Sequence, residues 1–256
     1  MNQNHDRLNP PDRDTLRDQL AGLKLPFIRD HFDDLAREAA AGQWSHLDFL
    51  ARLIDGEAAL RHDRTTQRRI RQARFPVLKN LEQFHFTWPA QINRPQVQDL
   101  FRLRFIDDKA NVILVGGVGL GKTHLAIALG YAACLAGYRV RFVTAVDLIN
   151  ALAAAQKTGR FVSELRKYLR PELLICDELG YLPIDKTGAD LLFQIFSKRY
   201  EHGSVILTTN KVFKHWPAIF HNDATLTSAV LDRLLHHAET VVIQGRSYRM
   251  KDRVEH

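Results

Sequence analysis

Cysteine and methionine are both scarce, with 2 of each in 256 residues. The cysteines, Cys134 and Cys176, fall inside apolar segments, one in an expected helix and one in an expected strand. A disulfide scaffold and a cysteine-rich metal site are therefore excluded, and both thiols read as small buried hydrophobes. No apolar run approaches the ~20 residues that a membrane-spanning helix needs. The start, Met1 to Asp14, is polar and charged rather than leader-like, so a cytoplasmic protein with no membrane partner is expected. Acidic residues are in deficit: 29 Asp and Glu against 36 Lys and Arg leave a net charge of +7. A surplus of that sign suits a polyanionic partner.

Residues 116 to 123 read Gly-Gly-Val-Gly-Leu-Gly-Lys-Thr, a complete phosphate-binding pattern. Before it, Asn111-Val-Ile-Leu-Val115 is a short β-branched run that reads as a buried strand; after it, Thr123 to Gly137 reads as an apolar helix. Glycines let successive backbone N–H groups turn toward phosphate oxygens, and the helix N-terminus adds partial positive charge. The expected nucleotide contacts are Gly116, Gly117, Val118, Gly119, Leu120, Gly121, Lys122, Thr123 and His124. Lys122 would lie on the β- and γ-phosphates and the Thr123 hydroxyl on Mg²⁺.

Leu173 to Glu178 is an apolar strand ending in two carboxylates, 55 residues beyond Lys122. Asp177 at such a strand end can hold Mg²⁺ through water, and Glu178 can deprotonate an attacking water. That pair favours ATP hydrolysis over transfer to a substrate hydroxyl, and so weighs against a small-molecule kinase. Ser204 to Asn210 is a further strand with a polar tip, where Asn210 can bond the γ-phosphate or the lytic water. The expected catalytic set is Lys122, Asp177, Glu178 and Asn210.

Around this core, residues 1–75 read as a small all-helical module with an unstructured start over 1–13, and residues 76–256 as the ATPase domain. Helical spacing of apolar residues runs from Asp14 to Gly42, with Pro26 opening a second helix, and Ser45-His-Leu-Asp48 caps a third. That third helix runs into an arginine segment, residues 61–74, and Phe75-Pro76 ends it. Residues 77–95, with Phe84, Phe86, Trp88 and Pro89, are expected to pack near the base pocket, and a helix over about Gln96 to Phe105 to lead into the first strand. Strands are expected at 112–116, 139–144, 173–177, 205–209 and 240–244, alternating with helices as in a parallel sheet. His236-His237 invites a metal reading, but adjacent residues on a helix point about 100° apart. With no Cys or carboxylate cluster to support them they read as ordinary polar residues.

The phosphate loop, the strand Leu173 to Pro183, the Thr-Thr-Asn tip, Leu231-Asp-Arg-Leu-Leu-His-His-Ala, Gly245-Arg-Ser-Tyr-Arg249, Leu-Lys-Leu-Pro26 and Ala-Arg-Phe-Pro76 together resemble the IstB-like family. These are ATP-binding helpers of insertion-sequence transposition in the AAA+ class, related to the DnaC helicase loader and the DnaA initiator. The resemblance spans nearly the whole chain. It implies an α/β AAA+ core with a five-stranded parallel sheet in the order 5-1-4-3-2, without a C-terminal lid domain, and homo-oligomers with ATP sites between subunits. It makes Arg233 the arginine finger for a neighbour's γ-phosphate, and Arg249 a match to the second-sensor arginine of the class. It places a helical insertion at Asp147 to Arg170, where Lys157, Arg160, Arg166 and Lys167 would touch DNA phosphates, with the arginine segment 61–74, Lys211 and Lys214 as lesser contacts. The implied function is oligomerisation on duplex target DNA without strong sequence preference, delivery of that DNA to a partner transposase, and reset by ATP hydrolysis. A DnaC-like helicase loader is the alternative that the same core allows.

Overall fold

The structure is a computed structural model that describes residues 12–88 and 91–248. Most of the expected unstructured start, together with Pro89 and Arg249, lies outside the described residues. The chain divides between Gln67 and Arg68 into two compact units.

The first unit holds α1 (Arg13–Gly22), α2 (Pro26–Gly42) and most of α3 (His46–Ala73). Their apolar stripes meet at Leu20, Ile28 and Leu53, with Leu16, Phe32 and Phe49 packed around them. Pro26 opens α2 because a proline at the first helical position loses no intrahelical bond. The donors left free there find a carboxylate on α3: the buried Glu57 accepts the N–H groups of Phe27 (2.8 Å) and Ile28 (3.3 Å). Ser45 Oγ accepts the Asp48 N–H at 3.1 Å, so the expected cap forms.

The second unit takes the end of α3, which stops at Ala73 with Arg74 at φ +59, just ahead of Phe75-Pro76. Where one helix was expected before the first strand there are two, α4 (Arg94–Leu100) and α5 (Arg104–Asp107). Leu103 at φ +61 breaks them apart, and its side chain is buried, so packing overrides the local helical preference. Strands β1 (Asn111–Gly116), β2 (Val140–Thr144), β3 (Leu173–Leu179), β4 (Ser204–Thr209) and β5 (Ala238–Ile243) alternate with α6 (Lys122–Leu135), α7 (Ala145–Lys157), α8 (Phe161–Leu169), α9 (Lys186–Arg199) and α10 (Ala224–Leu235). They form one parallel five-stranded sheet in the order β2-β3-β4-β1-β5. Read from the other edge this is the expected 5-1-4-3-2 order.

The central strands are buried on both faces, which explains their unbroken apolar runs. α4, α5 and α6 cover one face, with Leu125, Leu129 and Ile106 fully enclosed. α7, α8, α9 and α10 cover the other, around Leu148, Ile195 and Trp216. All five strands point their C-terminal ends the same way, which gathers the loops after β1, β3 and β4 at one edge. Burial pushes the thiols of Cys134 and Cys176 up to about 12, so neither is a reactive group. Among the described residues no helix is long and apolar enough to cross a membrane.

Candidate nucleotide-binding site

β1 ends at Gly116, where the chain brushes β5: a Cβ there would stand 2.4 Å from the Ile243 carbonyl oxygen. The loop closes at Gly121, the residue before α6, whose φ of +87 is costly for a side-chain-bearing residue. A turn of this shape leaves the first N–H groups of α6 aimed out of the helix end. Lys122 follows and is almost fully buried; its ammonium donates to the Gly117 carbonyl at 2.6 Å and to the Tyr181 hydroxyl at 3.4 Å.

Thr123 Oγ1 donates to the Asp177 carboxylate, 3.0 Å from each oxygen. Asp177 is 3% exposed, and burial pushes its carboxyl above the ordinary range, while bonds from Thr208 and Thr123 and the charge of Lys122 pull the other way. A buried carboxylate beside a hydroxyl, both hard oxygen donors, fits a Mg²⁺ ion carried by nucleotide phosphates. Glu178 is exposed and faces a cavity of about 480 Å³. Asn210, past the end of β4, has its amide oxygen buried with no hydrogen-bond partner among the described residues, a group suited to meet a ligand.

The cavity runs from Glu178 and Tyr181 across Val118 to Thr123 and out to Lys79, Phe84, His85, Trp88 and Tyr248. The aromatic connector is therefore where sequence placed it, roofing the region beyond the phosphate loop. His124 fastens it: a ring nitrogen lies 3.0 Å from the Asn80 carbonyl and the ring meets Phe84 edge-on at 5.5 Å. Burial holds the His124 imidazole below its usual pKa, so it is neutral near pH 7. An apolar slot with a few polar groups is what a purine ring needs. Tyr181 and Thr208 were missed in the sequence. Tyr181 stands out only as an aromatic shortly after the Asp-Glu pair, and Thr208 only as the first of two threonines at a strand tip.

Arg233 stands in the last turn of α10, its guanidinium 5.0 Å over the Phe193 ring and donating to the Ala229 carbonyl at 2.8 Å. From there the chain enters β5 at Ala238, which pairs with Asn111 at the start of β1. The phosphate loop follows the opposite end of β1, six residues on, ~20 Å away. The geometry does not bring Arg233 to its own chain's loop.

The insertion is a helical hairpin, α7 and α8, turning at Gly159 (φ +67). Lys157, Arg160, Arg166 and Lys167 are all exposed, with Lys167 paired to Glu164 at 2.5 Å. Tyr168 is core rather than surface, 2% exposed and lying under Arg141. Lys211 and Lys214 are exposed beyond β4. The two histidines differ from the sequence reading, because a carboxylate does lie near them. Glu201, His236 and His237 each offer a donor atom, all within 4.8 Å of one another, at the exposed end of α10.

The chain matches the family described as IstB-like ATP binding protein over residues 18–256. It is 38% identical over 231 residues to a protein of Geobacillus stearothermophilus named for ATP binding in insertion sequence IS5376, covering 90% of this chain and 92% of that one. It is 42% identical over 234 residues to the corresponding protein of IS21 in Pseudomonas aeruginosa, covering 91% and 88%. Among solved structures it is similar to a DnaC helicase loader at 25% identity and a TM-score of 0.53, covering 64% of this chain and 96% of that one. Aquifex aeolicus DnaA with AMPPCP bound, at 24% identity and a TM-score of 0.53, covers 69% and 53% and shares the AAA+ fold. With the phosphate loop, the acidic strand end and the sheet order in place, the chain belongs to the IstB-like family of insertion-sequence ATP-binding proteins.

Proposed function

We propose that this protein is an ATPase that assembles on duplex DNA in its ATP-bound state, presents that DNA as target to a partner transposase, and is reset by hydrolysis. The observation that carries the hydrolytic part is the pairing of a buried Asp177, bonded to Thr123, with an exposed Glu178 facing the cavity that Thr123 also lines. In this reading the backbone from Gly116 to His124 and the Lys122 ammonium hold the phosphates. Thr123 and Asp177 would hold Mg²⁺, which would offset charge developing on the phosphate oxygens. Glu178 takes the proton of the attacking water and Asn210 orients it. Arg249 belongs to the nucleotide contacts by resemblance.

Assembly enters through Arg233. A cation set near the start of β1, a strand's length from the phosphate loop that follows its other end, does not serve its own site, but on a symmetric ring or helix it can enter the next subunit's site. Hydrolysis then depends on neighbours. Phosphate contacts by Lys157, Arg160, Arg166 and Lys167 give DNA binding without sequence reading. Imaging the protein with ATP or ADP, with and without duplex DNA, tests the assembly step. Ordered oligomers are expected only with ATP and DNA together, and monomers under every condition would sink it. The likeness to a DnaC loader supports a second reading, which predicts preference for single strands and capture of a replicative helicase; the family match over residues 18–256 favours the first.

A further inference from the structure

β3 does not run straight into the site. Its ladder with β4 is regular from Leu173↔Ser204 to Cys176↔Leu207 and resumes at Leu179↔Thr209, so Asp177 and Glu178 together oppose Thr208 alone. Two residues facing one is a β-bulge, which re-aims side chains. Consecutive residues of a flat strand point to opposite faces, yet here Asp177 bonds the phosphate-loop Thr123 while Glu178 lines the nucleotide cavity. The bulge leaves Glu178 at φ +62, a left-handed conformation that a glutamate does not adopt unaided.

The group that holds it is the Thr208 hydroxyl. Thr208 is fully buried; its Oγ1 donates to Asp177 Oδ1 at 2.5 Å and accepts the Glu178 N–H at 2.9 Å. A backbone donor that the ladder cannot serve is thus satisfied by a side chain. One hydroxyl fixes both the carboxylate and the turn that follows it. The neighbouring Thr209 hydroxyl serves a different group, the Lys211 N–H.

We propose that Thr208 is the positioning residue of the hydrolytic pair, setting the Asp177 oxygens for a divalent cation and aiming Glu178 at the cavity. Asp177 has two hydroxyl partners, and Thr123 is itself a cation ligand in the proposed site. Thr208 is the partner that stays. Its effect on hydrolysis rests on the proposed ATPase reading, whereas its effect on cation affinity does not.

The test compares the wild-type protein with Thr208→Ser and Thr208→Val by three readouts: Mn²⁺ affinity of the ATP complex by electron paramagnetic resonance, nucleotide affinity in EDTA, and single-turnover hydrolysis. Loss of hydrogen bonds to a charged group and to a buried amide makes the expected losses in Thr208→Val about tenfold in Mn²⁺ affinity and 30-fold or more in rate. Nucleotide affinity in EDTA should be unchanged, and Thr208→Ser should restore cation affinity and rate to within about threefold. If Thr208→Val does not fold, Thr208→Ala is read in its place. A hydroxyl-free variant that binds Mn²⁺ like the wild type overturns the proposal, as does a serine variant as damaged as the valine one. A wild-type protein that never hydrolyses ATP would count against the ATPase reading alone, with Mn²⁺ affinity still deciding the role of Thr208.

Discussion

At the scale of single residues, the proposed site separates binding from chemistry. Lys122 is buried and bonded to the loop it belongs to, while Glu178 is exposed and lines the cavity. Glu178→Gln keeps size and polarity but cannot take a proton. Its nucleotide affinity should match the wild type within a factor of about two, while turnover falls by ~10²–10⁴, the range for a lost general base. Titration with a fluorescent ATP analogue beside a phosphate-release assay reads both; unchanged turnover would remove Glu178 from the role. These residues were legible in the sequence because phosphate binding and water activation each need fixed residue types at fixed spacing. Thr208 was not, because its importance comes from a bulge, and a bulge is a relation between two strands 30 residues apart rather than a pattern within either.

At the scale of elements, two ties hold the frame of the site, and neither has a sequence signature. One is Arg199 at the end of α9, 2% exposed, which donates to the carbonyls of Tyr168 (2.8 Å), Pro171 (3.0 Å), Glu172 (3.0 Å) and Ser204 (2.7 Å). It fastens the end of α8 to the starts of β3 and β4. Burial lowers its pKa to about 10, so it is charged at neutral pH. Arg199→Met would keep the stem and take the charged donor from these carbonyls and from that of Leu169. A loss of at least about 3 kcal/mol is expected, because losing even one or two buried bonds to a charged group costs roughly 1.5–3 kcal/mol each; chemical denaturation measures it. From sequence, an arginine in the last turn of a helix reads as a solvated dipole partner.

The other tie is His124, between α6 and the aromatic connector. Its folded pKa lies below the unfolded value because burial disfavours the cation. The unfolded chain therefore binds the proton more readily, and stability falls as pH drops through ~6.5 toward the folded pKa. Denaturation at pH 7.5 and 5.5 should show a larger loss in the wild type than in His124→Gln. Equal losses would mean that the ring is not the titrating group.

At the scale of the whole molecule, the strand order came only from the family resemblance, while the alternation of short apolar runs with helices made a parallel sheet readable. The break at Leu103 and the carboxylate near His236 and His237 were not, since both arise from residues that only the fold brings together. The proposed assembly turns on Arg233, whose place at the far end of β1 from its own phosphate loop favours a shared site. Mixing decides it. Arg233→Ala and Glu178→Gln subunits should each be inactive alone. In a random equal mixture on DNA, about one interface in four joins an Arg233→Ala subunit, which keeps Glu178, to a Glu178→Gln neighbour, which keeps Arg233. Roughly a quarter of wild-type hydrolysis should then return, and only at concentrations that support assembly. If each chain completes its own site, every mixture stays as inactive as its components, because no subunit carries both residues.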